Sequence, residues 1–154
     1  MGTWGAVWLA IAIVLALVWR RPTIVLWVAV ADLTAGLLSY GIREAVGRPR
    51  PPLVHPHPKP LVTTPHSGSF PSGHASISFA CATVLAAIAP KLALPCFVLA
   101  AAIAFSRVYV GVHYPLDVIG GAALGALVGL ASLAARRSWG AAGTGGEPRG
   151  AKRV

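Results

Sequence analysis

Ser106-Arg107-Val108-Tyr109-Val110-Gly111-Val112-His113-Tyr114-Pro115-Leu116-Asp117 is the stretch whose surroundings decide the fold. An apolar run from Leu92 to Val110 leads into it and another from Pro115 to Ala135 leaves it. Each run is close to the ~20 residues that carry a helix across ~30 Å of hydrocarbon. The polar residues of the stretch therefore lie where one membrane helix ends and the next begins. They supply a guanidinium, an imidazole and a carboxylate.

Working outward, three more apolar runs follow the same pattern, at Trp4–Trp19, Thr23–Ile42 and Ser72–Ala89. The 154 residues are 56% hydrophobic and 11% charged, and the mean hydropathy is +0.71. That composition excludes an ordinary soluble domain and makes the bilayer the solvent. The expected fold is all-α, a polytopic bundle of about five transmembrane helices over residues 1–137. The Gly-rich, aperiodic segment 138–154 reads as a disordered basic cytoplasmic tail. Trp4–Trp19 has no basic segment before it, and Arg20-Arg21-Pro22 stands where a signal peptide would have a small-residue cleavage site. It reads as a retained helix.

Lys and Arg gather in short cytoplasmic loops. With alternating spans, Arg20, Arg21, Lys91, Arg136 and Arg137 fall on one side, which assigns that side to the cytoplasm. The loop from about Gly47 to Pro71 and the Gly111–Tyr114 connection fall on the external side of the cell membrane. Arg43, Arg48, Arg50, Lys59 and Arg107 break the rule, and all sit in or beside those external segments. The net charge of +9 does not indicate nucleic acid, because no basic helix face or aromatic-interleaved patch accompanies it. Cys81 and Cys96 lie singly inside apolar runs and read as small buried hydrophobes. Gly121, Gly125 and Gly129 recur every four residues on one helix face, which suits close helix packing or a homodimer contact.

Pro71-Ser72-Gly73-His74 starts the third of the five long apolar runs, Ser72–Ala89. Ser72 is a good N-cap, and the amides of Gly73 and His74 then belong to the unsatisfied first turn, where an anion is welcome. Alone this is an ordinary capped helix start. His113 and Asp117 add more, since a carboxylate on one ring nitrogen fixes the tautomer and leaves the other free to attack. Asp117 also suits a capping role at the helix opened by Pro115. Arg107 near the end of a membrane helix calls for an anion or a snorkelling geometry. In Arg43-Glu44-Ala45-Val46-Gly47-Arg48-Pro49-Arg50-Pro51, Glu44 and Arg48 have the spacing of a helix-surface ion pair. Arg43 and Arg50 have no such partner, and planar guanidiniums suit phosphate.

On these residues the chain resembles the type 2 phosphatidic acid phosphatases, whose fold and site are shared with vanadium-dependent haloperoxidases. The family pattern is Lys-x6-Arg-Pro, Pro-Ser-Gly-His and Ser-Arg-x5-His-x3-Asp. Pro71–His74 and Ser106–Asp117 match in full, Arg43–Pro51 matches with Arg for the Lys, and the likeness runs from about Thr23 to Ala135. The resemblance implies a metal-independent lipid phosphatase without cofactor. His113 would be the nucleophile that forms a phosphohistidine, Asp117 its orienting group, and His74 the acid and later the base. Arg43, Arg50, Ser72, Gly73 and Arg107 would bind the phosphate. Membrane members of the family usually have six spans, against the five read here.

The substrate the resemblance implies is a lipid phosphate or diphosphate in the bilayer, with a polyprenyl carrier of the undecaprenyl or decaprenyl type favoured by the external site and the minimal body. Phosphatidic acid and phosphatidylglycerol phosphate are alternatives, as is a phosphotransferase. A lipid-head-binding assembly protein is the non-enzymatic reading. The Pro-rich segment Pro51–Pro60 is expected to be extended. His55, His57 and His66 lack the partners of a zinc set, so no metal site is expected. Asp32, in the middle of the second span, is expected to face neighbouring helices.

Overall fold

A computed structural model describes residues 4–54, 57, 59–65 and 67–144. The described residues form α1 (Trp4–Trp19), α2 (Thr23–Val46), a single turn α3 (Pro51–Val54), α4 (Gly73–Ile88), a 3-10 turn at Pro90–Leu92, α5 (Ala93–Tyr109) and α6 (Pro115–Thr144). No strand occurs among them, and the chain is a multi-pass helical membrane protein.

Small residues decide the packing. α4 is the central helix, in contact with α1, α2, α5 and α6, and Ala75, Ala80, Cys81, Ala82, Val84 and Leu85 of α4 are fully buried. α6 can approach so closely because its facing residues have no side chain. A Cβ on Gly121 would stand 2.5 Å from the Ser72 carbonyl oxygen, and one on Gly125 would meet the Ser76 carbonyl and lie 3.0 Å from the Ala80 nitrogen. One on Gly129 would come within 2.6 Å of the Thr83 Cβ. The glycine face is thus filled by α4 of the same chain, which corrects the homodimer reading of Gly121, Gly125 and Gly129.

The outer surface is apolar. Leu17, Leu33, Leu37, Leu94, Phe105 and Leu127 are largely exposed, as expected where lipid replaces water. Three segments are long and apolar enough to cross a membrane: Thr23–Val54, Pro90–Tyr109 and Pro115–Trp139. The apolar helices Gly5–Trp19 and Gly73–Ile88 are shorter. At 1.5 Å per residue, the 16 residues of α4 cover about 24 Å, less than the ~30 Å core. Ser69, Ser72, Gly73 and Ala75 are buried, so the first turn of α4 is sunk into the bundle.

Three other expectations need correcting. Pro51–Val54 is one helical turn instead of extended chain, because prolines are tolerated in a first turn whose N–H groups have no intrahelical acceptor. The Leu53 N–H closes the turn on the Arg50 carbonyl at 3.0 Å. α2 continues past Ile42 to Val46, ending at Gly47 with a left-handed φ of 60°. α6 continues through Ser138 to Thr144, into the segment expected to lack order, and the rest of that tail lies outside the described residues.

Two bundle ends result. Ser72 N–H donates to the Asp117 carbonyl at 2.8 Å, and Ser69 N–H to the Arg48 carbonyl at 2.8 Å. These bonds gather the C-terminus of α2 and the N-termini of α4 and α6 at one end, where Leu61 N–H also reaches the Val110 carbonyl beyond α5 at 3.3 Å. Arg20 and Arg21 in the α1–α2 turn and Lys91 in the 3-10 turn occupy the other. Asp32 lies half-buried between α2 and α1, where its carboxylate occupies the space beside Gly5.

Candidate active site

At the first of these ends is a cavity of about 190 Å³ walled by Arg43, Arg50, His74, Arg107 and His113, with Val62, Thr63, Pro65, Ser67 and Val112. Each charged or imidazole group arrives from a different element. Arg43 is in the last turn of α2, Arg50 precedes α3, His74 is in the first turn of α4, Arg107 is in the last turn of α5, and His113 is in the turn before α6. Five residues scattered over seventy positions are thereby brought to one wall.

Arg50 is the most firmly held of them. The residue is only 3% exposed. Nε donates to the Ser67 carbonyl at 2.9 Å, Nη2 to Ser67 Oγ at 3.3 Å and Nη1 to the Val112 carbonyl at 3.0 Å. Nη1 also lies 3.1 Å from Nε2 of His113. A guanidinium can only donate, so Nε2 is the acceptor and the proton of the neutral ring belongs on Nδ1. That nitrogen faces Asp117 Oδ2 at 3.5 Å, longer than a hydrogen bond. Burial and the charge of Arg50 push the His113 pKa down to about 4, against the opposing pull of Asp117 and the Ser69 backbone. The imidazole is therefore neutral near pH 7, with its Nε2 lone pair turned toward Arg50.

Asp117 has no exposed side-chain surface. It is the third residue of α6 and reaches back to accept the Tyr114 N–H at 2.8 Å, half of a capping box with Pro115 at the first helical position. Its other oxygen accepts from Arg48 Nη1 at 2.9 Å. Arg48 is therefore not the surface partner of Glu44 that the spacing suggested. The buried carboxylate is the stronger attractor, and the Arg48 guanidinium also stacks 4.4 Å over the Tyr114 ring.

The remaining expected groups sit around the cavity rather than in its wall. Ser72 occupies the N-cap position of α4 in extended conformation, without a side-chain cap bond. Its Oγ is buried with no hydrogen-bond partner among the described residues. Gly73 lies directly beneath the Arg43 guanidinium, which fills the space a side chain would need. Of the loop histidines, His57 is exposed, and His55 and His66 are outside the described residues. Ser67 and Arg48 are contributions that the sequence reading missed: Ser67 has no sequence signature, and the pairing of Arg48 was masked by the nearer Glu44.

Three guanidiniums and two imidazoles around one small cavity have the chemistry to hold an oxyanion beside a neutral imidazole. Residues 23–140 match the family model described as the PAP2 superfamily. The chain belongs to the PAP2 superfamily. Among the PAP2 relatives, decaprenylphosphoryl-5-phosphoribose phosphatase of Mycobacterium tuberculosis is 41% identical over 123 residues, covering 79% of this chain and 67% of that protein. Undecaprenyl-diphosphatase of Sulfolobus acidocaldarius is 32% identical over 133 residues, covering 82% of this chain and 62% of that protein. The PAP2-type phosphatidylglycerolphosphate phosphatase of Bacillus subtilis, a crystal structure, superposes with a TM-score of 0.66 at 26% identity, covering 86% of this chain and 68% of that one. The all-α PAP2 architecture and the membrane setting expected from the sequence stand together with these likenesses.

Proposed function

We propose that this PAP2 chain hydrolyses a lipid phosphate, with polyprenyl phosphates or diphosphates as its substrate class, through a phosphohistidine on His113. The observation that carries the proposal is the orientation of His113. His113 lines the cavity with Arg43, Arg50 and Arg107, its Nε2 accepts from Arg50 at 3.1 Å, and its Nδ1 lies 3.5 Å from Asp117 Oδ2.

In this mechanism the three guanidiniums hold the phosphoryl oxygens, so positioning and charge stabilisation supply most of the rate. Nε2 of His113 attacks phosphorus, and a bond from phosphorus to nitrogen forms as the bond to the lipid oxygen breaks. The departing oxygen takes a proton from His74. His74 then removes a proton from water, the water oxygen attacks phosphorus, the phosphorus–nitrogen bond breaks and phosphate leaves. Asp117 balances the positive charge that His113 carries between the two steps. Ser72 and the Gly73 amide, at the start of α4, add the field of a helix N-terminus beside the phosphate.

The polyprenyl class is favoured because both the decaprenyl and the undecaprenyl relatives are named for such substrates. The test is a panel of polyprenyl phosphate, polyprenyl diphosphate, phosphatidic acid and phosphatidylglycerol phosphate presented in identical vesicles. A higher kcat/KM on the polyprenyl compounds is expected, and a clear preference for a glycerolipid would replace this substrate assignment.

The distribution of charge supports an external site. Arg20, Arg21 and Lys91 mark the opposite end of the bundle as cytoplasmic. A cysteine introduced at the exposed Thr63 should react with a membrane-impermeant maleimide in intact cells, and labelling only after permeabilisation would invert the orientation.

A further inference from the structure

Arg48 falls on a variable position inside the Arg43–Pro51 motif, to which the family pattern assigns no residue type, and it does not line the cavity. Its contacts nevertheless converge on the group behind the nucleophile. The Asp117 carboxylate is fully withdrawn from solvent, and an ionised carboxylate in such a place is costly unless donors hold it. Two hydrogen bonds do so: Tyr114 N–H on Oδ2 at 2.8 Å and Arg48 Nη1 on Oδ1 at 2.9 Å. The carboxylate plane is thereby fixed from both ends, and with it the direction from which Oδ2 faces His113 Nδ1 at 3.5 Å.

Arg48 is itself anchored. Its guanidinium lies over the Tyr114 ring, a favourable placement for a planar cation. Its carbonyl accepts the Ser69 N–H at 2.8 Å, and the following Pro49 carbonyl accepts Ser69 Oγ at 3.3 Å. One residue thus ties α2's exit, the loop before α4 and the first turn of α6 to a single carboxylate.

We infer that Arg48 is a positioning residue for phosphoryl transfer, acting through Asp117 to hold an aligned negative charge opposite Nδ1 of His113. The inference rests on the assignment of His113 as nucleophile. As His113 bonds to phosphorus its ring gains positive charge, and the value of Asp117 lies in being ionised and correctly aimed at that moment. Without Arg48 the buried carboxylate keeps one backbone donor, so it is free to rotate or to take up a proton. Either change removes the counter-charge without touching the phosphate.

A double-mutant cycle on the full chain in vesicles, read as phosphate release from polyprenyl phosphate, tests this. Arg48→Ala is expected to lower kcat by about 10- to 100-fold, the range seen when outer partners that orient metal-bound histidines are removed, while KM stays near the wild-type value. Arg48→Lys should recover part of the loss, because it keeps the charge but not the planar fork. In an Asp117→Asn background, Arg48→Ala should cost little more, since the charge it aligns is already gone. Additive losses, a loss expressed in KM, or a lysine variant no better than alanine would each overturn the inference while wild type remains active. A wild-type chain that releases no phosphate would overturn the functional reading and this inference with it.

Discussion

Nη1 of Arg50 donates to Nε2 of His113 across 3.1 Å, so the proposed phosphate-binding group and the proposed nucleophile satisfy each other. In the proposed mechanism the lone pair that attacks phosphorus is the one Arg50 engages. A phosphoryl group entering the cavity offers the guanidinium stronger, charged acceptors and frees Nε2 as it does so.

Arg50 is thus expected to be intolerant of conservative replacement. A lysine has one ammonium and cannot reach the Ser67 carbonyl, the Val112 carbonyl and the phosphate in the fixed plane that Arg50 spans. Arg50→Lys should lower kcat/KM by about 10²- to 10³-fold, the range for losing a donor to developing charge. Steady-state phosphate release measures it, and near-wild-type activity in the lysine variant would show that charge alone suffices.

The lowered pKa of His113 has a definite sign in a pH profile. Because burial and Arg50 hold it at about 4, the ring stays neutral as pH falls through 6.5, where an ordinary histidine protonates. The acid limb of kcat/KM reports the free enzyme. After correction for the substrate's own ionisation, that limb should lie well below pH 6. A limb centred at 6.5 that disappears in no other variant would place His113 in an ordinary environment.

The close approach of α6 to α4 predicts an uneven response to glycine substitution. Gly125→Ala drives a methyl into the Ser76 carbonyl and the Ala80 nitrogen, which are backbone atoms that cannot move aside. Overpacking of this kind costs about 1–3 kcal/mol, and it also displaces Asp117 relative to His74, because each starts one of the two helices. Gly41 has nothing within 4 Å of its absent Cβ, so Gly41→Ala serves as the control. Thermal midpoints in detergent should fall for the first and stay for the second.

The fold was legible wherever one physical requirement dominates. Apolar length locates all five long helices, and the Arg20, Arg21 and Lys91 pattern separates the bundle ends. Arg43, Arg50, His74, Arg107 and His113 were named from motif spacing and share one cavity wall. What the sequence hid was pairing at long range. Glu44 lies four residues from Arg48 and Asp117 sixty-nine residues away, so a local rule chose the wrong partner. Desolvation of Asp117, visible only after folding, makes the distant pair the better one. Pro51–Val54 was misread for a related reason, because proline forbids helix interiors but not first turns. The continuation of α6 to Thr144 has no amphipathic pattern to announce it.

The central claim is that His113 takes the phosphoryl group, and the most direct measurement is the rate of phosphate release from polyprenyl phosphate by the purified chain and its His113→Ala variant in the same vesicles. The account predicts a fall of several orders of magnitude, to near the uncatalysed rate, with the variant still folded. Hydrolysis by His113→Ala at the wild-type rate would contradict it.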